Sequence, residues 1–526
     1  MRGALQQHER LAAGIVVLLA FLARLWAAHG TFLNPDEALH FQIANQISWA
    51  QAYEASLTTA HPPLLIFVLH FWRGLGTSEV VLRLPSVIAG TAFCWFLFSW
   101  MKLVFGRAAA WIGFIFVSFL PPMIALSAEV RQYALLGCFL GISLYLTERA
   151  FAESSAVEFA LGYGFVCLAL FTHYSALWFA AALGAYSLVR LAEIEFPSKL
   201  KVVWGTSQAV LLLLCDFLYR THLTKLVSGA AITTQEWLAN SLFHRGRQSL
   251  VVFVFARTFG VFQFVFGQLA VGDVAGILYA TGVVLLSREK KARALGMFLV
   301  LPFILNCGAA VASLYPYGGT RHSLFLVPFA LGGVSVALAW VARQHIIRSL
   351  ALALVVVLLS AIFGRPHRPY MTRADQSTEH MSRAMTFLHQ GVVPGSLILT
   401  DYQSSLLLGH YLCAQQPIVF DRTIRGYYVF DCAGLRVLST GPETSIFNPS
   451  SFLNQRVFDV LRDRLGVKTG DAICVAQAGW DIGLAGQLRS SSPPFRDLKV
   501  DSFGRNIQIF RLWLSALGPA ADQASP

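Results

Sequence analysis

Asn34-Pro35-Asp36-Glu37 stands just after the first long apolar run of the chain. Proline is tolerated at the first helical position and Asn favours the cap before it. The spacing therefore predicts a helix starting at Pro35, with both acids in its first turn. A carboxylate placed there can take a proton from a hydroxyl; alternatively, the pair simply complements the positive end of the helix dipole. Five further stretches carry ionisable groups at the ends of apolar runs. They are His61-Pro62-Pro63, Leu82-Arg83-Leu84-Pro85, Ser127-Ala128-Glu129-Val130-Arg131-Gln132-Tyr133, His173-Tyr174 and Tyr315-Pro316-Tyr317-Gly318-Gly319-Thr320-Arg321-His322. Read singly, each has a plain structural explanation. His61 can be an ordinary turn residue, Arg83 can snorkel at a helix end, and Glu129 with Arg131 can be a solvated turn.

Taken together they are a chemical set. Charges where apolar spans meet are costly unless they face water or a partner. One acidic pair, a further Glu, several Arg and aromatics beside lipid suit transfer of a sugar from a lipid phosphate. The phosphate leaves as a weakly basic anion, so no general acid is needed. A carboxylate deprotonates the acceptor hydroxyl, and the planar fork of Arg matches the phosphate oxygens. Gly318 and Gly319 allow close backbone approach.

The elements that must hold these residues are membrane helices. The chain has 526 residues, 56% of them hydrophobic and only 13% charged, with a net charge of +12. Soluble domains run near a quarter charged, so a single large soluble enzyme, a disordered chain and a fibrous repeat are excluded. Apolar runs near the ~20 residues that cross ~30 Å of hydrocarbon fall at 11–29, 80–100, 108–126, 133–148, 156–172, 174–191, 201–220, 268–287, 294–314, 322–342 and 348–364. The expected fold is an α-helical polytopic membrane protein with about 11 spans. The short loops rich in Lys and Arg place the N-terminus in the cytoplasm. The chemical residues then all lie on the opposite side. The first span, with no clear cleavage site after it, reads as a retained anchor.

Two stretches do not read as simple spans. The first outer loop, 31–79, contains His61–Gly76, apolar but short, which suits a helix along the membrane surface. The second, 221–267, contains an apolar run carrying Arg257 and reads as interfacial or re-entrant. The transmembrane part is thus expected over 1–364. At 365–369 a Pro- and Arg-rich linker begins a near-charge-balanced region. Strand patterns at Ser396–Thr400, Leu435–Leu438, Ala472–Ala476 and Ile507–Leu512 alternate with helical ones at Asp375–Gln390, Ser404–Cys413 and Phe452–Leu465. That predicts a small C-terminal extracytoplasmic α/β domain over 365–517, followed by a disordered tail, 518–526. The eight cysteines form no CxxC motif. Six lie in apolar runs and read as packing residues. Cys413 and Cys432 either pair, if that side is oxidising, or stay apart.

The order NPDE, HPPL, LRLPS, AEVRQY, THY, GGTRH resembles the family-C (GT-C) glycosyltransferases, and within them the protein O-mannosyltransferase-like and Rgt- and ArnT-like branch. The resemblance covers about residues 10–365. It implies an inverting transferase that takes a sugar from a polyprenyl-phosphate donor and passes it to a glycan, lipid or protein acceptor outside a bacterial inner or plasma membrane. It implies Asp36 as catalytic base, with Glu37 as a second candidate. His61, Arg83, Glu129, Arg131, Tyr133, His173, Arg321 and His322 are the implied substrate-binding residues, Arg131 and Arg321 holding the phosphate. His61 stands where some relatives have Lys, and Glu129 where others have Asp. No cofactor, no metal and no nucleic-acid partner is expected.

Two other readings compete. A multi-pass transporter or lipid flippase would carry ionisable groups near the bilayer midplane and related halves. Here those groups gather at span ends, and no internal repeat is visible. A membrane sensor with an outer ligand-binding domain would leave the acidic pair without a purpose.

Overall fold

The computed structural model describes residues 2–193, 196–226, 238–364, 375–392, 396–413, 427–432, 434–441, 457, 459–468, 470–480, 488 and 495–514. The expected linker at 365–369 and the tail from 518 lie outside these residues. The described helices begin with α1 (Arg2–Ala28), α2 (Pro35–Ala44), α3 (Trp49–Ser56), α4 (Leu64–Trp72), α5 (Glu79–Val104) and α6 (Arg107–Phe119). Next come α7 (Pro121–Leu126), α8 (Tyr133–Glu153), α9 (Ala156–Thr172), α10 (Ala176–Glu193), α11 (Ser198–Thr221) and α12 (Leu250–Phe266). The remainder are α13 (Leu269–Arg288), α14 (Arg293–Val311), α15 (Val327–Val341), α16 (Ile346–Phe363), α17 (Thr378–Gly391) and α18 (Tyr402–Tyr411). The chain forms two compact units. The first comprises Met1–His29, Ser56–Val68 and Val80–His367; the second comprises Gly30–Ala55, Leu69–Glu79 and Arg368–Pro526.

The first unit is a helical membrane bundle, and the protein is an integral multi-pass membrane protein. Among the described residues, 9 helices are long and apolar enough to cross a bilayer. Of the other expected spans, 108–126 is helical but interrupted, and 156–172 is the 17-residue α9 with the expected bounds. The first is cut by Pro121-Pro122, so that α6 ends at Phe119 and α7 begins at Pro121. Proline has no N–H, so this pair leaves the carbonyls of Val117 and Ser118 without their helical donors. Arg24 of α1 supplies replacements: its Nη2 donates to Val117 O at 2.8 Å and its Nη1 to Ser118 O at 3.0 Å. A buried cation and two orphaned carbonyls thereby satisfy one another. The stretch carrying Arg257 is one 17-residue helix, α12. The short segment after His61 is the nine-residue α4, too short to cross.

The second unit is built on a six-stranded sheet in the order β2-β3-β1-β4-β6-β5. Its strands are β1 (Leu397–Thr400), β2 (Tyr427–Cys432), β3 (Leu435–Thr440), β4 (Ala472–Ala478), β5 (Phe495–Ser502) and β6 (Ile507–Leu514). β1 pairs in parallel with β3 and β4, while β2, β5 and β6 join antiparallel. The four strands expected from the sequence form the centre, and β2 and β5 are the edges. Leu399, Leu438, Val475, Phe510 and Leu512 form the core with Val457 and Leu461. Cys413 and Cys432 form a disulfide. This unit also takes in part of the segment 31–79: Thr31 bridges Ser377, and Phe32 N–H donates to Gln376 O at 2.8 Å.

Candidate active site

In the second unit, the start of α2 has the expected cap. Asn34 Oδ1 accepts from Glu37 N at 3.2 Å, and Glu37 Oε2 accepts from Asn34 N at 2.9 Å and from Asn34 Nδ2 at 2.6 Å. This reciprocal capping box, with Pro35 at the first helical position, fixes the turn that carries Asp36. Glu37 is fully buried in that role, while Asp36 is half-buried. One turn on, His40 Nδ1 donates to Asp36 O at 2.7 Å.

The sheet domain holds this turn. α2 packs on α18, with the Phe41 and His410 rings edge to face at 4.7 Å. Leu33 N–H donates to the Tyr411 hydroxyl at 2.7 Å, which in turn donates to Glu79 Oε1 at 2.9 Å. α18 itself begins at the carboxyl end of β1. There Asp401 caps it by accepting from Ser404 N at 3.0 Å and Ser404 Oγ at 2.7 Å. Burial pushes the Asp401 carboxyl up, and the Ser404 bonds pull against that shift.

In the first unit, loops at one end of the helices bring together six of the expected binding residues. The imidazoles of His61, His173 and His322 lie 5.4 to 6.3 Å apart, centre to centre. Tyr133 packs 5.5 Å from His173 and 6.3 Å from His322. The guanidinium carbons of Arg131 and Arg321 both lie against the Tyr133 ring, at 5.5 and 5.8 Å. Such cation–π contacts hold two like charges beside one aromatic ring. Glycine makes the Arg321 loop fit. Gly318 has φ +130°, and a Cβ on Gly319 would stand 2.5 Å from the carbonyl oxygen of Gly260 in α12.

His173 is the most constrained member. Burial, and then the charges of Arg131 and Arg321, hold its imidazole down to about 3, so it is neutral at physiological pH. Ser175 N–H donates to its Nδ1 at 3.2 Å. The ring proton therefore sits on Nε2. That Nε2 is buried and bonds no group among the described residues. It is a donor awaiting an acceptor, in the field of two arginines.

Glu129 lies buried in the same loop, and its carbonyl accepts from Arg131 N at 2.8 Å. Arg83 is not in the ring cluster. Its Nη1 donates to Ala28 O at 2.9 Å, capping the last carbonyl of α1. Asp36 and Glu37 belong to the second unit. Sequence reasoning passed over Ser175, which sets the His173 tautomer, and His40, whose spacing of four from Asp36 was a visible signal. It also left out Tyr315, whose ring stands 6.5 Å from His322. Among the described residues no three His, Cys, Asp or Glu are arranged to hold a metal ion.

Comparison with known proteins agrees with the motifs. Residues 60–219 match the family described as dolichyl-phosphate-mannose-protein mannosyltransferase. The fold matches ArnT from Cupriavidus metallidurans in its apo state, with TM-score 0.55 and 13% identity, covering 95% of this chain and 98% of that one. It also matches that protein bound to undecaprenyl phosphate, with TM-score 0.53 and 13% identity over 94% and 97% of the two chains. The Archaeoglobus fulgidus oligosaccharyltransferase aligns at 12% identity and TM-score 0.47, over 96% of this chain and 74% of that one. No curated protein sequence matches the chain. The fold is that of the family-C membrane glycosyltransferases, as the order of motifs implied.

Proposed function

We propose that the protein is an inverting glycosyltransferase. It moves a sugar from a polyprenyl-phosphate donor to an acceptor on the extracytoplasmic side of a bacterial inner or plasma membrane. The observation that carries this reading is the buried Nε2–H of His173, without a partner among the described residues, near Arg131 and Arg321. A neutral donor near two guanidinium groups is suited to an anion such as a lipid phosphate. The ArnT structure with the same fold is described as bound to undecaprenyl phosphate, which supports this choice of ligand.

In the proposed reaction an acceptor hydroxyl attacks the anomeric carbon as the bond from that carbon to the phosphate oxygen breaks. Asp36 takes the hydroxyl proton, and Glu37 holds the turn in place through Asn34. The electron pair of the broken bond leaves on the phosphate, where Arg131, Arg321 and His173 stabilise it. Tyr133, His61 and His322 shape the pocket with Glu129, and Arg83 of α5 holds the end of α1 through Ala28 O. The N-terminus lies in the cytoplasm. The Cys413–Cys432 disulfide agrees with an oxidising compartment for the sheet domain.

A sensor role for the sheet domain is disfavoured by what fills its binding edge. Ligands of open α/β sheets sit at the carboxyl ends of the parallel strands. Here Pro35 occupies that place, against Gly479 just beyond β4. The deciding experiment supplies purified protein with labelled polyprenyl-phosphate sugars and a membrane acceptor extract. Wild-type protein should transfer label. Asp36→Asn should lower transfer about a hundredfold or more with an unchanged melting temperature. Full activity in that variant removes the proposed base.

A further inference from the structure

A second basic site lies in the first unit, beside the loop that carries Arg321. A cavity of about 380 Å³ is lined by Phe243, His244, Arg245, Arg247 and the end of α14 at Val311–Ser313. That volume falls within the range of small-ligand sites. The turn at its mouth is well defined: Arg247 N–H donates to His244 O at 3.2 Å, and Gly246 between them has φ +80°. A positive φ at the third turn position is the type II arrangement, for which glycine is suited. It sets Arg245 and Arg247 on the two shoulders of the turn.

The turn is anchored on three sides. Phe243 N–H donates to Ala310 O at 3.1 Å, the Phe243 ring packs 5.5 Å from Phe253 of α12, and Tyr317 N–H donates to Ser241 O at 2.9 Å. The last bond joins the cavity to the Tyr315–His322 loop, so both basic sites occupy the same face of the bundle. His244 Nε2 contacts Ala239 O at 2.9 Å. The guanidinium groups of Arg245 and Arg247 make no ion pair or side-chain hydrogen bond among the described residues, and no acid lines the cavity. A helix end attracts cations to its carbonyls, yet neither guanidinium bonds those of α14. Next to the turn, Leu250, Val251, Val252 and Phe255 of α12 and Leu314 leave about half or more of their surface exposed.

We infer that this cavity binds the phosphate headgroup of a bilayer lipid, with the acyl chains lying along the exposed face of α12. Two guanidinium groups with no ion pair among the described residues supply the phosphate fork, and the adjoining apolar surface selects a lipid over a soluble anion. The inference does not depend on the transferase reading, since it concerns a different set of residues.

The test uses full-length protein in nanodiscs of zwitterionic lipid doped with phosphatidic acid, with bound lipid counted by native mass spectrometry after detergent release. Wild-type protein should retain phosphatidic acid. The double variant Arg245→Ala/Arg247→Ala should retain about tenfold less at an unchanged melting temperature, and Arg245→Lys/Arg247→Lys should recover part of the loss. Equal retention by wild-type and the double-alanine variant overturns the inference. So does displacement of the lipid by millimolar inorganic phosphate, which would mark a site for free anions. Asp36→Asn should retain lipid as wild-type does, which separates this result from the fate of the proposed base.

Discussion

Gly479 faces Pro35 so closely that a Cβ built on the glycine would stand 2.7 Å from Pro35 Cγ. Gly479 also has φ +102°, a conformation that side chains rarely adopt. The turn that carries Asp36 is thus set by a residue more than four hundred positions further along the chain. Gly479→Ala should displace α2 and lower turnover while leaving donor affinity within about twofold. Matched measurements of kcat and donor affinity check this; a proportional loss of both would point to general unfolding instead.

Arg131 and Arg321 share the Tyr133 ring. Replacing either arginine by Ala should weaken donor binding about 10- to 100-fold, the scale of a charged hydrogen bond. Tyr133→Phe keeps the aromatic face and should cost little, whereas Tyr133→Leu should approach the arginine variants. Binding of a non-reactive polyprenyl phosphate measures the series.

His173 predicts an acid-side loss of stability. Its folded value, about 3, lies below the ordinary 6.5. Between those values the unfolded chain binds a proton that the folded chain does not, so stability falls as pH drops from about 6.5 towards 3 and is flat above that window. The slope contributed is at most about 1.4 kcal/mol per pH unit. His173→Gln should flatten the melting temperature against pH there; an unchanged profile would show that His173 is not the group responsible.

The Cys413–Cys432 disulfide closes a loop with a sequence separation of 19. Loss of a native bridge of this kind costs about 2–5 kcal/mol. Cys413→Ser should lower the melting temperature of the sheet domain, and reductant should do so to the same extent in wild-type protein. Non-reducing peptide mapping should recover the two cysteines in one linked fragment.

Asp401 offers a cleaner stability test, since its carboxylate caps α18 through Ser404. Asp401→Ala should destabilise by about 1–2 kcal/mol, and Asp401→Asn, a good capping residue, by much less. Thermal denaturation of both variants distinguishes the cap from a charge effect.

Much of this was legible in the sequence because it is local. The cap at Asn34 and Pro35, the apolar spans and the four central strands all follow from residue types a few positions apart. The edge strands β2 and β5 were missed: Arg496, Asp497, Lys499 and Asp501 give β5 little of the apolar run that marks a central strand. The partner of Pro121-Pro122 was invisible too, since Arg24 answers those prolines from another helix. Nor could spacing reveal that the rings of His61, His173 and His322 cluster together. Their meeting depends on which helices become neighbours, and apolar periodicity does not encode that.

Gly282 of α13 meets Gly333 of α15 with so little room that a Cβ on either would collide with its neighbours. Two backbones in direct apposition leave no space between those helices at this point. At that crossing the backbones themselves exclude an acyl or prenyl tail from between the two helices.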